Sequence, residues 1–271
     1  MNASLRLREW FTLVVGVVAL HAPLLHAQTA PSIGKSTLVA AIVPNYPPFE
    51  YKDPATDKLM GFDVDLGEAL AAKLGVKLEW QETNFDQMMS ALTTKRVDVI
   101  LSGMTDLPER RGAVNFLDYI TTGPQFYTVK ARAGEFATMD ALCGKTVGTS
   151  RRTSFVNDTT KWSDEHCVKA GKPPIKVVGT DGSSDARMQL RQNRIDVAVQ
   201  GGETLPYQNS IEQNGYAPIG QPFLSKDNAA LNTALTNAFN QLIADGTYQK
   251  ILAKWGLQQH AVPKALVNAG T

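Results

Sequence analysis

Cysteine and histidine are scarce in this sequence: Cys143 and Cys167 are its two thiols, and His21, His26, His166 and His260 its four imidazoles. That supply leaves no metal-ligand spacing, since His166 and His260 have no cysteine or carboxylate at a ligating interval apart from Cys167. The chain has no Gly-x-Ser-x-Gly elbow for a serine nucleophile. Gly34-Lys35-Ser36 and Gly144-Lys145-Thr146 echo the end of a phosphate loop, but Thr29 and Met139 stand where its first glycine belongs. An excess of one charge is missing too: 27 basic against 26 acidic side chains leave a formal net charge of +1, without the basic surplus of a nucleic-acid binder. No cofactor and no catalytic residue is implied. Recognition is the chemistry that remains.

One long apolar run is present, and it lies at the start. Arg6 and Arg8 precede a mostly apolar stretch from Trp10 to Leu25, and Leu25-His26-Ala27 offers a small residue at a cut before Gln28. His21 and Pro23 interrupt the run short of a comfortable membrane span. Residues 1–27 are therefore expected to be a signal peptide, with no cysteine at the cut for a lipid anchor, and the mature protein is expected to be a soluble periplasmic monomer. In that oxidising compartment Cys143 and Cys167 read as a disulfide in preference to two buried thiols, with a stabilisation of roughly 3 kcal/mol from loop closure.

From Ser36 onward strands and helices alternate. Thr37–Val43 reads as a buried strand, followed by a proline-rich loop, a helix from Gly61, the alternating strand Val76–Trp80, a helix carrying Phe85, Met88, Met89 and Leu92, and the strand Val97–Leu101. Such a βαβαβ unit implies a parallel sheet with helical cover. A second unit has strands at Lys145–Thr149, Ile175–Val178 and Ile195–Val199. The units share a phrase: Arg96-Val97-Asp98-Val99 with Gly103 matches Arg194-Ile195-Asp196-Val197 with Gly201 at the same offset. Two similar α/β lobes are the simplest account.

In the stretch Gly61-Phe62-Asp63-Val64-Asp65-Leu66, Phe62, Leu66, Leu70 and Leu74 recur every fourth residue along one helical stripe. Asp63 and Asp65 complement the positive end of the helix, and Gly75 is placed to cap it. This Gly-aromatic-Asp-Val-Asp-Leu opening resembles the signature of the family 3 periplasmic solute-binding proteins, receptors that deliver amino acids and related polar solutes to ABC importers. Asp245-Gly246-Thr247-Tyr248 with Ile251–Gly256 resembles that family's C-terminal helices. The resemblance covers roughly Thr37 to Gly256. It implies an α/β, two-lobed periplasmic-binding-protein fold, each lobe a mainly parallel sheet covered by helices, joined by two crossover segments. The lobes are expected at 36–127 and 128–220, with 126–131 as an extended joining segment, a return to the first lobe over 221–257, and an unpaired tail at 258–271.

The implied partners are a small carboxylate-bearing solute and the membrane permease of an ABC importer. The loop Ser102-Gly103-Met104-Thr105 with Arg110 leaves the C-terminal end of a parallel strand, where open α/β sheets place ligands. Arg110 has the planar fork to grip a carboxylate. Ser102, Gly103, Thr105 and Arg110 fall on the family's positions for the solute's carboxylate and amine. Tyr46 and Phe85 fall on its aromatic walls, with core packing as the alternative. Thr153 and Ser154 match its second-lobe contacts at the start of a helix. Two acids are missing from the pattern: Gly201 stands where an aspartate commonly meets the ammonium, with Glu203 a substitute by a shift of the loop, and Val43 stands where basic-amino-acid receptors have an aspartate. With Arg151 and Arg152 beside them, these losses tilt the expected pocket toward anions. The chain between Gly215 and Asp227 looks about a strand shorter than the family pattern. Rival readings are an exported dehydratase on the same fold, with Glu203 as its acid, and a receptor that signals through a membrane sensor.

Overall fold

The computed structural model describes residues 34–212, 215–219, 225–230 (backbone) and 233–269. The expected signal peptide, 1–27, lies outside them. The chain begins with strand β1 (Thr37–Ile42), a small ribbon of β2 (Asn45–Tyr46), β3 (Glu50–Lys52) and β4 (Leu59–Met60), and helix α1 (Phe62–Leu74). Then follow β5 (Lys77–Glu82), a 3-10 turn at Phe85–Gln87 running into α2 (Met88–Thr93), β6 (Val99–Ile100), β7 (Met104–Thr105), the short α3 (Pro108–Arg111) and β8 (Phe116–Thr122). In this lobe β5, β1 and β6 pair in parallel.

Helix α1 shows why the lobe holds together. Its stripe of Phe62, Leu66, Leu70 and Leu74 is buried in one cluster with residues of β1, β8 and the C-terminal helices. Four such side chains contribute roughly 6–12 kcal/mol, an upper bound because the unfolded chain already hides some of this area. Gly61 adopts φ +137°, and a Cβ there would lie 2.1 Å from the Phe49 carbonyl oxygen, so only glycine fits. That close approach lets the first helical amides, of Phe62 and Asp63, donate to the Pro48 and Phe49 carbonyls at 2.9 Å each. The proline-rich loop is thereby tied to the helix. Gly75 closes the other end in the left-handed conformation.

The chain enters the second lobe at Gly123, between β8 and β9 (Pro124–Val129), earlier than the expected boundary at 127/128; β9 is a strand of the second sheet and not a bare connector. The lobe continues through 3-10 turns to β10 (Thr146–Ser150), α4 (Ser154–Ser163), β11 (Lys176–Thr180), α5 (Ser183–Arg191), β12 (Val197–Gly201), α6 (Leu205–Ile211) and β13 (Tyr216–Ile219). The strand order is β11-β10-β12-β9-β13, parallel through β12 and antiparallel beyond it. Successive residues point to opposite faces: Val197 and Val199 pack with Phe155 and Trp162, while Ala198 packs with Leu190 and Leu205. Cys143 and Cys167 are bonded to each other within this lobe.

The chain returns to the first lobe between 219 and 225, and the expected shortening of that return falls largely outside the described residues. β14 (Ser225–Ala230) pairs with β7 and β8, and α7 (Thr233–Ala244) and α8 (Thr247–Trp255) pack on α1. Residues 258–269 are not an unpaired tail. β15 (Leu266–Val267) adds to β8, Val262 is buried, and the Val262 amide donates to the Tyr248 hydroxyl at 3.2 Å. Sequence alone concealed this because the strand Leu266–Val267 is two residues long, too short to show an alternation.

The phrase shared by the two units has one structural meaning. Asp98 accepts the Val39 amide (3.0 Å) and Asp196 the Thr146 amide (2.9 Å), so each aspartate ties the strand that follows it to the neighbouring parallel strand of its own lobe, β1 or β10.

Candidate functional site

Strands β1 and β6 of one lobe and β10, β11 and β12 of the other end toward a common cleft. Their following loops enclose a cavity of about 300 Å3. The first lobe supplies Asn45, Tyr46, Glu50, Phe85, Asp86, Ser102, Gly103 and Thr105; the second supplies Ser150, Arg151, Thr153, Asp181, Ser183 and Gln200. The lobes touch across it. Ser183 donates its hydroxyl to the Asn45 carbonyl (2.9 Å), the Gly201 amide donates to the Tyr46 hydroxyl (3.0 Å), and the Thr105 and Ser154 hydroxyls lie 3.3 Å apart.

Six of the residues singled out from the sequence, Tyr46, Phe85, Ser102, Gly103, Thr105 and Thr153, stand on the cavity wall. Tyr46 also packs in the core, stacked on Phe49 at 5.6 Å between ring centroids. Ser154, Arg110 and Gly201 lie outside the wall. Ser154 is buried behind Thr153 at the start of α4. Arg110 donates Nη1 to the Thr105 carbonyl (2.8 Å) and Nη2 to the Arg152 carbonyl (3.1 Å), a bridge from one lobe to the other. Arg152 is exposed and does not line the cavity.

Gly201 is not an empty position. A Cβ on it would lie 2.0 Å from Glu203 Oε1 and 2.5 Å from the Tyr46 hydroxyl, so the Glu203 carboxylate fills the space of a side chain at 201. Glu203 accepts the Thr122 hydroxyl and has contact with the Tyr46 hydroxyl. Burial pushes its carboxyl up to about 7 against those hydrogen bonds.

The sequence reading missed the acids of the wall. Glu50 is 1% exposed at the floor, where its Oε1 accepts the Ser102 hydroxyl at 2.7 Å, and Ser102 in turn accepts the Val43 amide at 3.1 Å. Asp86 and Asp181 are exposed at the rim. Against these three stands the exposed Arg151, itself paired with Asp181 at 3.1 Å. The charges on the wall run against the expected tilt toward anions, because these acids lie outside the family's aspartate positions. Glu50's place, directly after the Pro-Pro-Phe loop that follows β1, was the available signal.

Asp63 and Asp65 both stand in the first turn of α1, as expected, and each has further partners there. Asp63 is fully buried, accepts the Gly103 amide (3.2 Å) and the Tyr119 hydroxyl (3.1 Å), and contacts the Glu50 carboxyl. Burial pushes its carboxyl up to about 7, opposed by these three partners. Asp65 instead accepts Lys254 and the Trp255 indole, both at 2.7 Å, and ties α1 to α8. Among the described residues no group of three or more His, Cys, Asp or Glu side chains is arranged to hold a metal ion.

Residues 38–258 match the family of bacterial extracellular solute-binding proteins, family 3. The chain is 27% identical over 241 residues to the arginine-binding protein ArgT of Corynebacterium glutamicum, covering 86% of this chain and 79% of that one. Its fold superimposes on an ancestral arginine-binding protein bound to arginine with a TM-score of 0.72 and 30% identity, covering 82% of this chain and 98% of the other. The same holds for an ancestral arginine-binding protein bound to glutamine, at a TM-score of 0.72 and 31% identity.

Proposed function

Because the chain belongs to the bacterial extracellular solute-binding proteins of family 3, we propose that it captures an amino acid in the periplasm and presents it to the membrane permease of an ABC importer. The observation that carries this reading is the cavity between the lobes, about 300 Å3 and walled by hydroxyls, amides and charged groups. That volume is at the small end of the roughly 300–1,000 Å3 usual for small-molecule sites. Relatives named for arginine, cystine and histidine support the solute class.

In this reading the solute's carboxylate lies at Thr105 and Thr153, near the first amides of α4 and with Arg110 behind them. Glu203, in the side-chain space of Gly201, supplies the negative charge for the α-ammonium. Tyr46 and Phe85 cover the apolar part. Closure of the hinged lobes forms the surface that the permease reads.

Thermal-shift measurement of the mature protein with the common amino acids tests the proposal. A solute that binds only the folded state, present at a hundred times its dissociation constant, adds about 2.7 kcal/mol of stability. A melting temperature unmoved by every amino acid refutes it.

A further inference from the structure

We propose that Tyr51 and Tyr207 form a latch between the lobes, outside the cavity, that sets how tightly the protein holds a solute without taking part in choosing it. The proposal rests on the amino-acid reading, in which the solute is held between closing lobes.

The ribbon β2–β4 is where the first lobe reaches for the second. The Asn45 carbonyl accepts the hydroxyls of Ser183 (2.9 Å) and Ser184 (3.3 Å), and the Tyr46 hydroxyl accepts the Gly201 amide (3.0 Å). Asn45 and Tyr46 line the cavity, so their contacts depend on what the cavity holds. Further along the ribbon, on β3, the Tyr51 hydroxyl accepts the Tyr207 hydroxyl at 2.5 Å, with the two rings 5.7 Å apart between centroids and tilted by 52°. Neither tyrosine stands on the cavity wall. Their contact responds to the separation of the lobes and not to the chemistry of the solute between them.

Both halves of the pair are braced. Tyr51 stands edge-on to Trp255 at 6.2 Å, and the Trp255 indole donates to Asp65 at 2.7 Å, which backs the first-lobe half with α1 and α8. Tyr207 stands on α6, which is anchored by the buried Leu205 and follows directly on the turn that holds Glu203. Tyr46 and Tyr51 thus meet one continuous stretch of the second lobe, at Gly201 and at Tyr207. Side chains already fixed on packed elements lose little freedom when they meet. Both tyrosines are half-buried, so opening returns their hydroxyls to water and the contact has the net worth of one exchanged hydrogen bond. A contact made only in the closed state shifts the balance toward closure, and it raises the affinity for every solute that needs closure by the same factor.

Calorimetry and stopped-flow intrinsic fluorescence of the mature protein test the latch, with L-arginine, L-glutamine and L-histidine as probes. Tyr51→Phe and Tyr207→Phe keep both rings and remove the hydrogen bond. Each variant is expected to raise the dissociation constant of every probe that binds by one common factor, about three- to tenfold. The change should appear as faster dissociation, with association little altered. The double variant should be no weaker than either single one, because there is one bond to lose. A lower melting temperature of the solute-free variants with unchanged binding makes the pair a support of the fold and overturns the latch. Dissociation constants and rates that stay at their wild-type values, a change confined to one probe when others bind, or losses that multiply in the double variant also overturn it. Each of these results leaves the receptor reading standing. Failure of every amino acid to bind the wild-type protein overturns both.

Discussion

The Glu203 carboxylate inside the side-chain space of Gly201 makes a sharp prediction about Gly201→Ala. The backbone at 201 is in the extended region, so the substitution brings no conformational strain of its own. All of its cost comes from contact. The new methyl would lie 2.0 Å from Glu203 Oε1 and 2.5 Å from the Tyr46 hydroxyl, both far inside van der Waals distance. Glu203 is 4% exposed and held by Thr122, so its carboxylate has little room to swing away. Overpacking of this kind costs typically about 1–3 kcal/mol. Displacing Tyr46 also breaks its hydrogen bond with the Gly201 amide, a further loss of about 1 kcal/mol. Gly201→Ala should therefore destabilise the protein by about 2–4 kcal/mol, a fall in melting temperature of roughly 5–15 °C by calorimetry. A second variant isolates the cause. In Gly201→Asp combined with Glu203→Ala the acid moves to the shorter side chain and the clash is gone, so most of the loss should be recovered. A melting temperature for Gly201→Ala within about 1 °C of wild type would refute the packing argument.

Other outcomes follow from the same structure. Asp63 and Glu203 are pushed up to about 7 in the fold, above their unfolded values, so the stability that they contribute is present at low pH and is lost as pH rises toward 7. The melting temperature should accordingly rise on acidification from pH 8 to pH 5, and Asp63→Asn should flatten that rise; a profile identical to wild type counts against the assignment. Arg110→Ala leaves the Thr105 and Arg152 carbonyls without their guanidinium and should weaken solute binding by about 1–3 kcal/mol in calorimetry, whereas an unchanged dissociation constant excludes Arg110 from the site. Reduction of the Cys143–Cys167 bond, or the double serine variant, should lower stability by roughly 3 kcal/mol, and alkylation of both thiols in native oxidised protein would contradict the pairing.

Much of this architecture is legible in the sequence because it rests on short-range pattern. The four-residue spacing of Phe62, Leu66, Leu70 and Leu74 and the flanking glycines locate α1 to within a residue. The shared Asp98 and Asp196 phrase locates the second lobe's strand from the first. The acids of the cavity were harder to read. Whether Glu50 faces solvent or the floor depends on a ribbon of two- and three-residue strands, too short to show alternation, and on a loop pinned by Gly61 from eleven positions away. Glu203 reached the space of Gly201 through a side-chain direction that no spacing rule supplies. Arg110 was read by its fork geometry, yet here its donors go to two carbonyls of different lobes. Conformation across a cleft is a tertiary property, and residue order alone does not encode it.

The late strands of the first lobe bear on the order in which the molecule comes into being. β8 waits for β14 and for β15, and the Phe116 amide finds its acceptor in Asn268, 152 residues further on. All strands of the second sheet lie between Pro124 and Ile219, so that lobe can finish before the C-terminal residues become available. Chains fold in the order in which their parts become available, and long-range strand pairing is slow. The lobe that emerges first is thus completed last, around a second lobe already formed, and the edges of β8 stay open to the solvent until the final residues arrive.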